Sequence, residues 1–211
     1  MKARLAVFAV LVALAVGASL AYQAAARDRD YRSLVARGDA ALKDDLTFGA
    51  IEAYSGAIAL RPSSMLAHLR RGETYRRRGD LEAAARDLRT AATLDPTATR
   101  PLEELGDVLY LLQRTKRAAE SYDSCLKLDD RSARVTYKLA LAQYRDGQLD
   151  AAQVTLERAL RLDGGMADAQ YLLGLCQRDR RRPDEAAKAF ERAVELSPGS
   201  IPAREELADL Y

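Results

Sequence analysis

A period of 34 residues runs through this chain without an insertion, and no other feature limits its fold as strongly. From Tyr31 the sequence divides into five equal blocks, 31–64, 65–98, 99–132, 133–166 and 167–200, followed by a remainder, 201–211. With each block numbered from 1 to 34, position 20 is always alanine: Ala50, Ala84, Ala118, Ala152 and Ala186. Position 27 holds Ala57, Ala91, Cys125, Ala159 and Ala193, and position 30 holds Leu60, Leu94, Leu128, Leu162 and Leu196. Position 24 is bulky (Tyr54, Leu88, Tyr122, Leu156, Phe190), whereas position 8 is small (Gly38, Gly72, Gly106, Ala140, Gly174). Position 32 carries turn formers, Pro62, Pro96, Asp130, Gly164 and Pro198.

At about 100° per residue, positions 4, 7, 8 and 11 share one face of a first helix. Positions 20, 24, 27 and 30 share one face of a second. Small side chains at 8, 20 and 27 let helix axes approach closely, and the large one at 24 fills the space between them. Gly79 and Gly147 mark the turn between the helices, and Pro101 and Pro202 sit early in helices, where a missing amide hydrogen is tolerated. A single hairpin cannot bury its own apolar stripe, so neighbours must stack.

This pattern resembles the tetratricopeptide repeat (TPR) family over residues 31–211. The resemblance implies an all-α, right-handed α-solenoid of five 34-residue helix-turn-helix repeats, closed by a capping helix, 201–211. In that cap Ile201, Leu207 and Leu210 are expected to cover the last repeat, with Arg204, Glu205, Glu206 and Asp209 facing water. Position 4 departs from the family, with Leu34, His68, Leu102, Thr136 and Gln170 in place of tryptophan. The resemblance also implies that positions 5, 9 and 12 line a concave groove that binds a protein or peptide partner. They are Leu69, Glu73 and Arg76; Glu103, Asp107 and Tyr110; Tyr137, Leu141 and Tyr144; and Tyr171, Leu175 and Arg178. Block 1 contributes Val35, Asp39 and Leu42. A solvated row should be polar, yet four tyrosines and two leucines recur at these positions in blocks 3 to 5. Tyrosine suits an interface, offering apolar area with a polar tip. The competing reading is that a curved array partly buries these side chains against neighbouring repeats. On the groove reading Tyr137 and Tyr171 serve binding rather than folding, with Glu103, Asp107 and Arg178 orienting the bound segment. Some family members grip a terminal carboxylate with lysine and asparagine, but this chain has no asparagine, so that clamp does not carry over.

The first thirty residues differ in kind. An uncharged apolar run, Leu5 to Tyr22, follows Lys2 and Arg4, and charge returns at Arg27. As a helix, eighteen residues rise roughly 27 Å, near the hydrocarbon thickness of a bilayer. Residues 1–30 therefore read as an N-terminal hydrophobic helix serving as a signal anchor, with membrane contact through residues 5–22. The body, 31–211, is then expected to be extracytoplasmic. A cleaved signal peptide is the alternative, since Ser19-Leu20-Ala21 is an acceptable small-x-small site.

Catalysis finds little support. The only histidine, His68, falls at core position 4, without a nucleophile arranged beside it. Cys125 and Cys176 belong to non-adjacent blocks, which argues against a disulfide, and no metal or cofactor motif appears. Beyond residue 30 the chain has 29 basic and 29 acidic residues, which argues against nucleic acid as partner. The arginine clusters Arg76–Arg78 and Arg180–Arg182 interleave with acids and read as a self-neutralised edge. The resulting expectation is a membrane-tethered, non-catalytic scaffold, probed against one rival: a structural or self-associating subunit of a membrane complex that uses no groove.

Overall fold

The computed structural model describes the backbone of residues 2–210, and the side chains of residue 11 and residues 14–210. Eleven helices and no strand are present among the described residues. The chain forms two compact units, Met1–Asp80 and Leu81–Tyr211. The first holds α1 (Lys2–Lys43), α2 (Thr47–Leu60) and α3 (Met65–Arg78). The second holds α4 (Leu81–Leu94), α5 (Thr99–Leu111), α6 (Thr115–Leu128), α7 (Ala133–Arg145), α8 (Leu149–Leu162), α9 (Ala167–Asp179), α10 (Pro183–Leu196) and α11 (Ile201–Ala208). Within the second unit each helix packs on its neighbour in sequence, giving a stack of hairpins α5/α6, α7/α8 and α9/α10 between α4 and α11.

The period sets local structure residue by residue. Position 15 is left-handed in every block: Asp45 (φ 59°), Gly79 (88°), Gln113 (58°), Gly147 (78°) and Arg181 (60°). Two of these are glycines, which adopt that region freely, and three are not. Ser64 and Ser132, each the last residue of a block, cap the next helix by accepting from Ala67 N and Val135 N.

Positions 20, 24 and 27 are buried in all five blocks, as expected. A ring at position 24 leaves room only for glycine at 8, whereas leucine at 24 occurs with glycine (Gly72 with Leu88) or alanine (Ala140 with Leu156). A Cβ on Gly106 would lie 2.4 Å from the Tyr122 ring, and one on Gly174 2.4 Å from Phe190; Gly38 meets Tyr54 at 2.5 Å. Where position 24 is Leu156, position 8 is Ala140, and both are buried. Position 30 is a correction. Leu60, Leu94, Leu128 and Leu162 are 37–45% exposed rather than core. Each is the last residue of its helix and lies about 80° from position 20, at the edge of the apolar stripe. His68 is buried at position 4 with its Nε2 3.1 Å from the Pro62 carbonyl, a structural role.

The cap also differs from expectation. Ala203 is its buried residue, while Ile201 is exposed and Glu206 turns inward to pair with Arg178 on α9. Leu207, four residues on, shares Ala203's face and is half-buried with Leu210 as expected, whereas Ile201 lies about 160° from Ala203 and points away.

Helix α1 runs unbroken through residues 30 and 31, so the N-terminal segment and the first helix of block 1 are one helix. Its junction is held by Asp28, which accepts from Arg61 at 2.5 Å, and by Tyr31, whose hydroxyl lies 2.6 Å from Ser64 Oγ. Arg61 also stacks 4.2 Å from the Tyr31 ring centroid. The Arg61 hydrogen bond holds the Asp28 carboxyl below its ordinary pKa. Of the apolar run, residues 5–10, 12 and 13 lie outside the described side chains, whereas Leu11, Leu14, Val16, Leu20 and Tyr22 are exposed. Among the described residues, no helix is long and apolar enough to cross a membrane.

Candidate functional site

The first helices of blocks 3 to 5, α5, α7 and α9, lie side by side in the second unit and present positions 5, 9 and 12 together. Two side-chain bridges establish this neighbourhood. Lys138 of α7 donates to Glu103 and Asp107 of α5 at 2.7 and 2.8 Å, and the Tyr144 hydroxyl donates to Asp179 of α9 at 2.8 Å.

Between those bridges the surface is aromatic and aliphatic. Tyr137, Leu141, Tyr144 and Leu175 are half-buried and pack against the core formed by Ala140, Ala152, Leu156, Ala169, Leu172 and Cys176. Tyr171 is half-buried against Phe190, with ring centroids 5.7 Å apart. These rings thus pack on their neighbours while keeping an exposed part. Truncating Tyr137 or Tyr171 to alanine would remove packing area, contrary to the expectation that folding is indifferent to them.

The hydroxyls separate the tyrosines into two groups. Tyr54 and Tyr122, at position 24, donate to Asp39 and Asp107 at 2.7 and 2.8 Å, and Tyr144 donates to Asp179. Tyr110, Tyr137 and Tyr171 have no hydrogen-bond partner among the described residues. Burial, then the Asp168 carboxylate and Tyr110, push the Tyr137 phenol up to about 12. Burial and the hydrogen bond to Asp179 raise Tyr144 to about 12, and burial with Glu206 raises Tyr171. All three phenols are protonated at neutral pH; Tyr144 spends its proton on Asp179, and Tyr137 and Tyr171 keep theirs as free donors.

The charged members of the row are engaged inside the fold. Glu103 is held by Arg134 and Lys138, with the Arg134 Nη2 at 2.9 Å, and Asp107 takes Lys138 together with the Tyr122 hydroxyl. Arg178 pairs with Asp179 at 2.9 Å and with Glu206, whose hydrogen bond raises the Arg178 pKa. These groups therefore brace neighbouring repeats rather than wait for a ligand. In the first unit Leu69 is a further correction. It is 4% exposed and belongs to the core, while Glu73 and Arg76 are half-buried. Arg70 completes there, with Asp39 at 3.7 Å, the arrangement that Lys138 makes with Asp107. The sequence carried this signal: tyrosine at 24 occurs where 9 is aspartate and the next block's position 6 is a cation.

The arginine-rich turns are self-neutralised where pairs form. Arg77 meets Asp45 at 2.6 Å, Arg114 meets Glu82 at 3.5 Å, and Arg180 pairs with Asp150. Arg78 covers the exposed Phe48 ring at 4.6 Å. Cys125 and Cys176 are free and buried; burial raises both thiols, Cys176 to about 11, so neither is poised as a nucleophile. Small clefts of 180 and 240 Å³ flank α6, one floored by Leu102, Leu105 and Leu109 and the other by Leu139 and Gln143. Both are below the roughly 300–1,000 Å³ usual for small-molecule pockets.

The comparisons with known proteins agree with this architecture. The model of the tetratricopeptide repeat matches residues 49–99, 69–133 and 137–201. Small glutamine-rich tetratricopeptide repeat-containing protein 2 of Mycosarcoma maydis is 30% identical over 96 residues, which are 46% of this chain but 27% of that relative. The chain thus spans about a quarter of the length of the curated relative it matches. Among solved structures, the MamA protein superposes with a TM-score of 0.78 at 24% identity, over 81% of this chain and 93% of MamA. YrrB, a TPR protein with an unusual peptide-binding site, gives 0.75 at 19% identity, covering 82% and 89% of the two chains. A tetratricopeptide repeat protein from Parabacteroides merdae gives 0.78 at 19%, covering 87% and 73%. At these identities the structural likeness shows the fold alone. With helical hairpins in register with the period, and with the repeat model matching most of the chain, this protein belongs to the tetratricopeptide repeat family.

Proposed function

We propose that this protein is a non-catalytic adaptor that holds a segment of another protein on the face formed by α5, α7 and α9. One observation carries the reading. Tyr110, Tyr137 and Tyr171 present half-buried rings with unpartnered hydroxyls beside Leu141 and Leu175, whereas the bracing tyrosines Tyr54, Tyr122 and Tyr144 have theirs occupied. Apolar area with nearby free donors and acceptors suits a polypeptide, whose side chains seek the rings and whose amides seek the hydroxyls. The family is generally one of non-catalytic scaffolds, and YrrB carries a peptide-binding site on the same fold.

Residues 5–22 serve as the membrane tether in this reading, with the repeats extracytoplasmic and engaged in assembling an envelope complex. The uncharged run and the basic residues before it support this, together with the exposure of Leu11, Leu14, Val16 and Leu20. Because α1 is continuous and latched at Asp28 and Tyr31, the tether passes into the repeats as a helix rather than a loose linker.

The test is site-specific photocrosslinking in membranes, with the crosslinker at Leu141 or Leu175 and, as control, at the exposed Val154 of α8. A single heterologous adduct is expected at the first two positions and none at Val154. Equal labelling at all three would defeat the reading, and adducts to a second copy of the chain would favour self-association instead. Resistance of the full-length protein to carbonate extraction checks the tether; a soluble form beginning near Tyr22 would replace it with signal cleavage.

A further inference from the structure

The repeat makes successive junctions directly comparable, and the comparison exposes a missing charge. At the α5/α7 junction, position 5 is Glu103, met by two cations of the following block: Arg134 at position 2 and Lys138 at position 6. At the α7/α9 junction the same three places hold Tyr137, Asp168 and Leu172. The ring replaces the carboxylate, a carboxylate replaces the first cation, and an apolar residue replaces the second. Asp168 is exposed and has no hydrogen-bond or ion-pair partner among the described residues. It lies in the first turn of α9, where a carboxylate suits the helix's positive end but remains available to a further cation. Positions 5 and 2 of successive blocks meet at the α5/α7 junction, where Arg134 donates to Glu103 at 2.9 Å, so the register sets Asp168 beside Tyr137.

We propose that the place between Tyr137 and Asp168 receives a basic side chain, arginine or lysine, of the bound segment. The client's cation lies against the aromatic ring and pairs with the carboxylate, supplying from outside what Arg134 and Lys138 supply from within one repeat earlier. An exposed carboxylate next to an aromatic face is complementary to a guanidinium or ammonium, through ion pairing and the ring quadrupole together. Leu141 and Leu175 alongside take an apolar neighbour, so the preferred segment alternates apolar and basic residues. This rests on the polypeptide-binding reading above and adds the sign of the partner's charge.

The experiment measures fluorescence anisotropy of labelled octapeptides with the full-length protein in nonionic detergent. One peptide alternates leucine and arginine, the second has citrulline for each arginine, and the third has glutamate. The arginine peptide should bind about tenfold more tightly than its uncharged citrulline counterpart, and raised salt should narrow the gap. Asp168→Asn should bring the two within about twofold of each other, chiefly by weakening the arginine peptide. Tyr137→Ala should weaken both peptides. Equal binding of the arginine and citrulline peptides would overturn this inference and leave the polypeptide-binding reading standing, as would a preference for glutamate. No binding of any peptide at millimolar concentration would overturn both.

Discussion

Blocks 3 and 4 occupy successive places in one stack and solve the same packing problem with different chemistry. In block 3 the space between the helices is filled by Tyr122, with Gly106 opposite and Asp107 receiving its hydroxyl; Lys138 of the next block neutralises the aspartate. In block 4 it is filled by Leu156, with Ala140 opposite and Leu141 where the aspartate would be; Leu172 stands in place of the lysine. Each set is self-consistent, and a residue from one does not fit alone in the other. The difference teaches that the unit of substitution is the set. A phenol between helices requires a glycine to make room and an acid to accept its hydrogen bond, and that half-buried acid is matched by a cation. Only the set without those demands leaves position 9 apolar, and that is why the aromatic and aliphatic surface of α7 and α9 appears where it does.

The sharpest way to break this comparison is Leu156→Tyr, which puts the block 3 residue into block 4. Its ring meets the Ala140 methyl and its hydroxyl finds Leu141 rather than an acid, so a loss of about 3–5 kcal/mol is expected in urea denaturation. A variant as stable as the parent would show that the two sets are interchangeable. Next comes Gly106→Ala, whose methyl would lie 2.4 Å from the Tyr122 ring; the expected loss is about 1–3 kcal/mol. Adding Tyr122→Leu to it should restore part of that loss, a coupling that a double-mutant cycle measures directly. The reverse change, Ala140→Gly, should cost only about 0.5–1 kcal/mol.

Asp107→Leu should lose about 1–2 kcal/mol, because Tyr122 and Lys138 both lose their partner in a place that is largely closed to water. The triple change Tyr122→Leu, Asp107→Leu, Lys138→Leu copies the apolar solution and should lie closer to the parent than Asp107→Leu does, since a complete apolar set leaves no unpaired charge. The smallest effect concerns the turns. Gln113 in block 3 and Gly147 in block 4 share position 15 and positive φ, 58° and 78°. Gln113→Gly should gain about 0.5–1 kcal/mol and Gly147→Gln should lose a similar amount, read as opposite shifts of the melting temperature.

Much of this was legible before any coordinates. The period located the helix pairs, and alanine at 20 and 27 with a bulky residue at 24 identified the buried contacts. The tyrosine row on the first helices was also visible, as was the pairing of Arg78 with the adjacent Asp80, whereas Arg77 and Arg180 reach Asp45 and Asp150 of the preceding block. The polar sets were written in the sequence as well, though only as a correlation between positions 6, 9 and 24 of adjoining blocks. Three things escaped it. Position 30 is as regular as position 20, so periodicity alone ranked it with the core; its place in the last turn at the stripe's edge leaves it uncovered. Composition likewise could not show that Leu69 lies inside while Leu141, at a related position, keeps an exposed part. The left-handed residues Asp45, Gln113 and Arg181 carry no local mark, because the hairpin's closure rather than residue preference holds them there.

What the sequence by itself determined is the set of repeated local choices: which residues start, turn and end each helix, and which small side chains meet which large one. These are short-range decisions, governed by helical periodicity and steric fit within one block. What only the tertiary structure decided is the state of each polar group on the shared face. Glu103, Asp107 and Arg178 look free in the sequence, but neighbouring repeats bring Arg134, Lys138 and Glu206 within hydrogen-bond reach. Tyr110, Tyr137 and Tyr171 look like the other tyrosines, but nothing among the described residues reaches their hydroxyls. The physical reason is that a hydrogen bond needs its partner within about 3 Å, and which side chain arrives there depends on the stacking of one block upon the next.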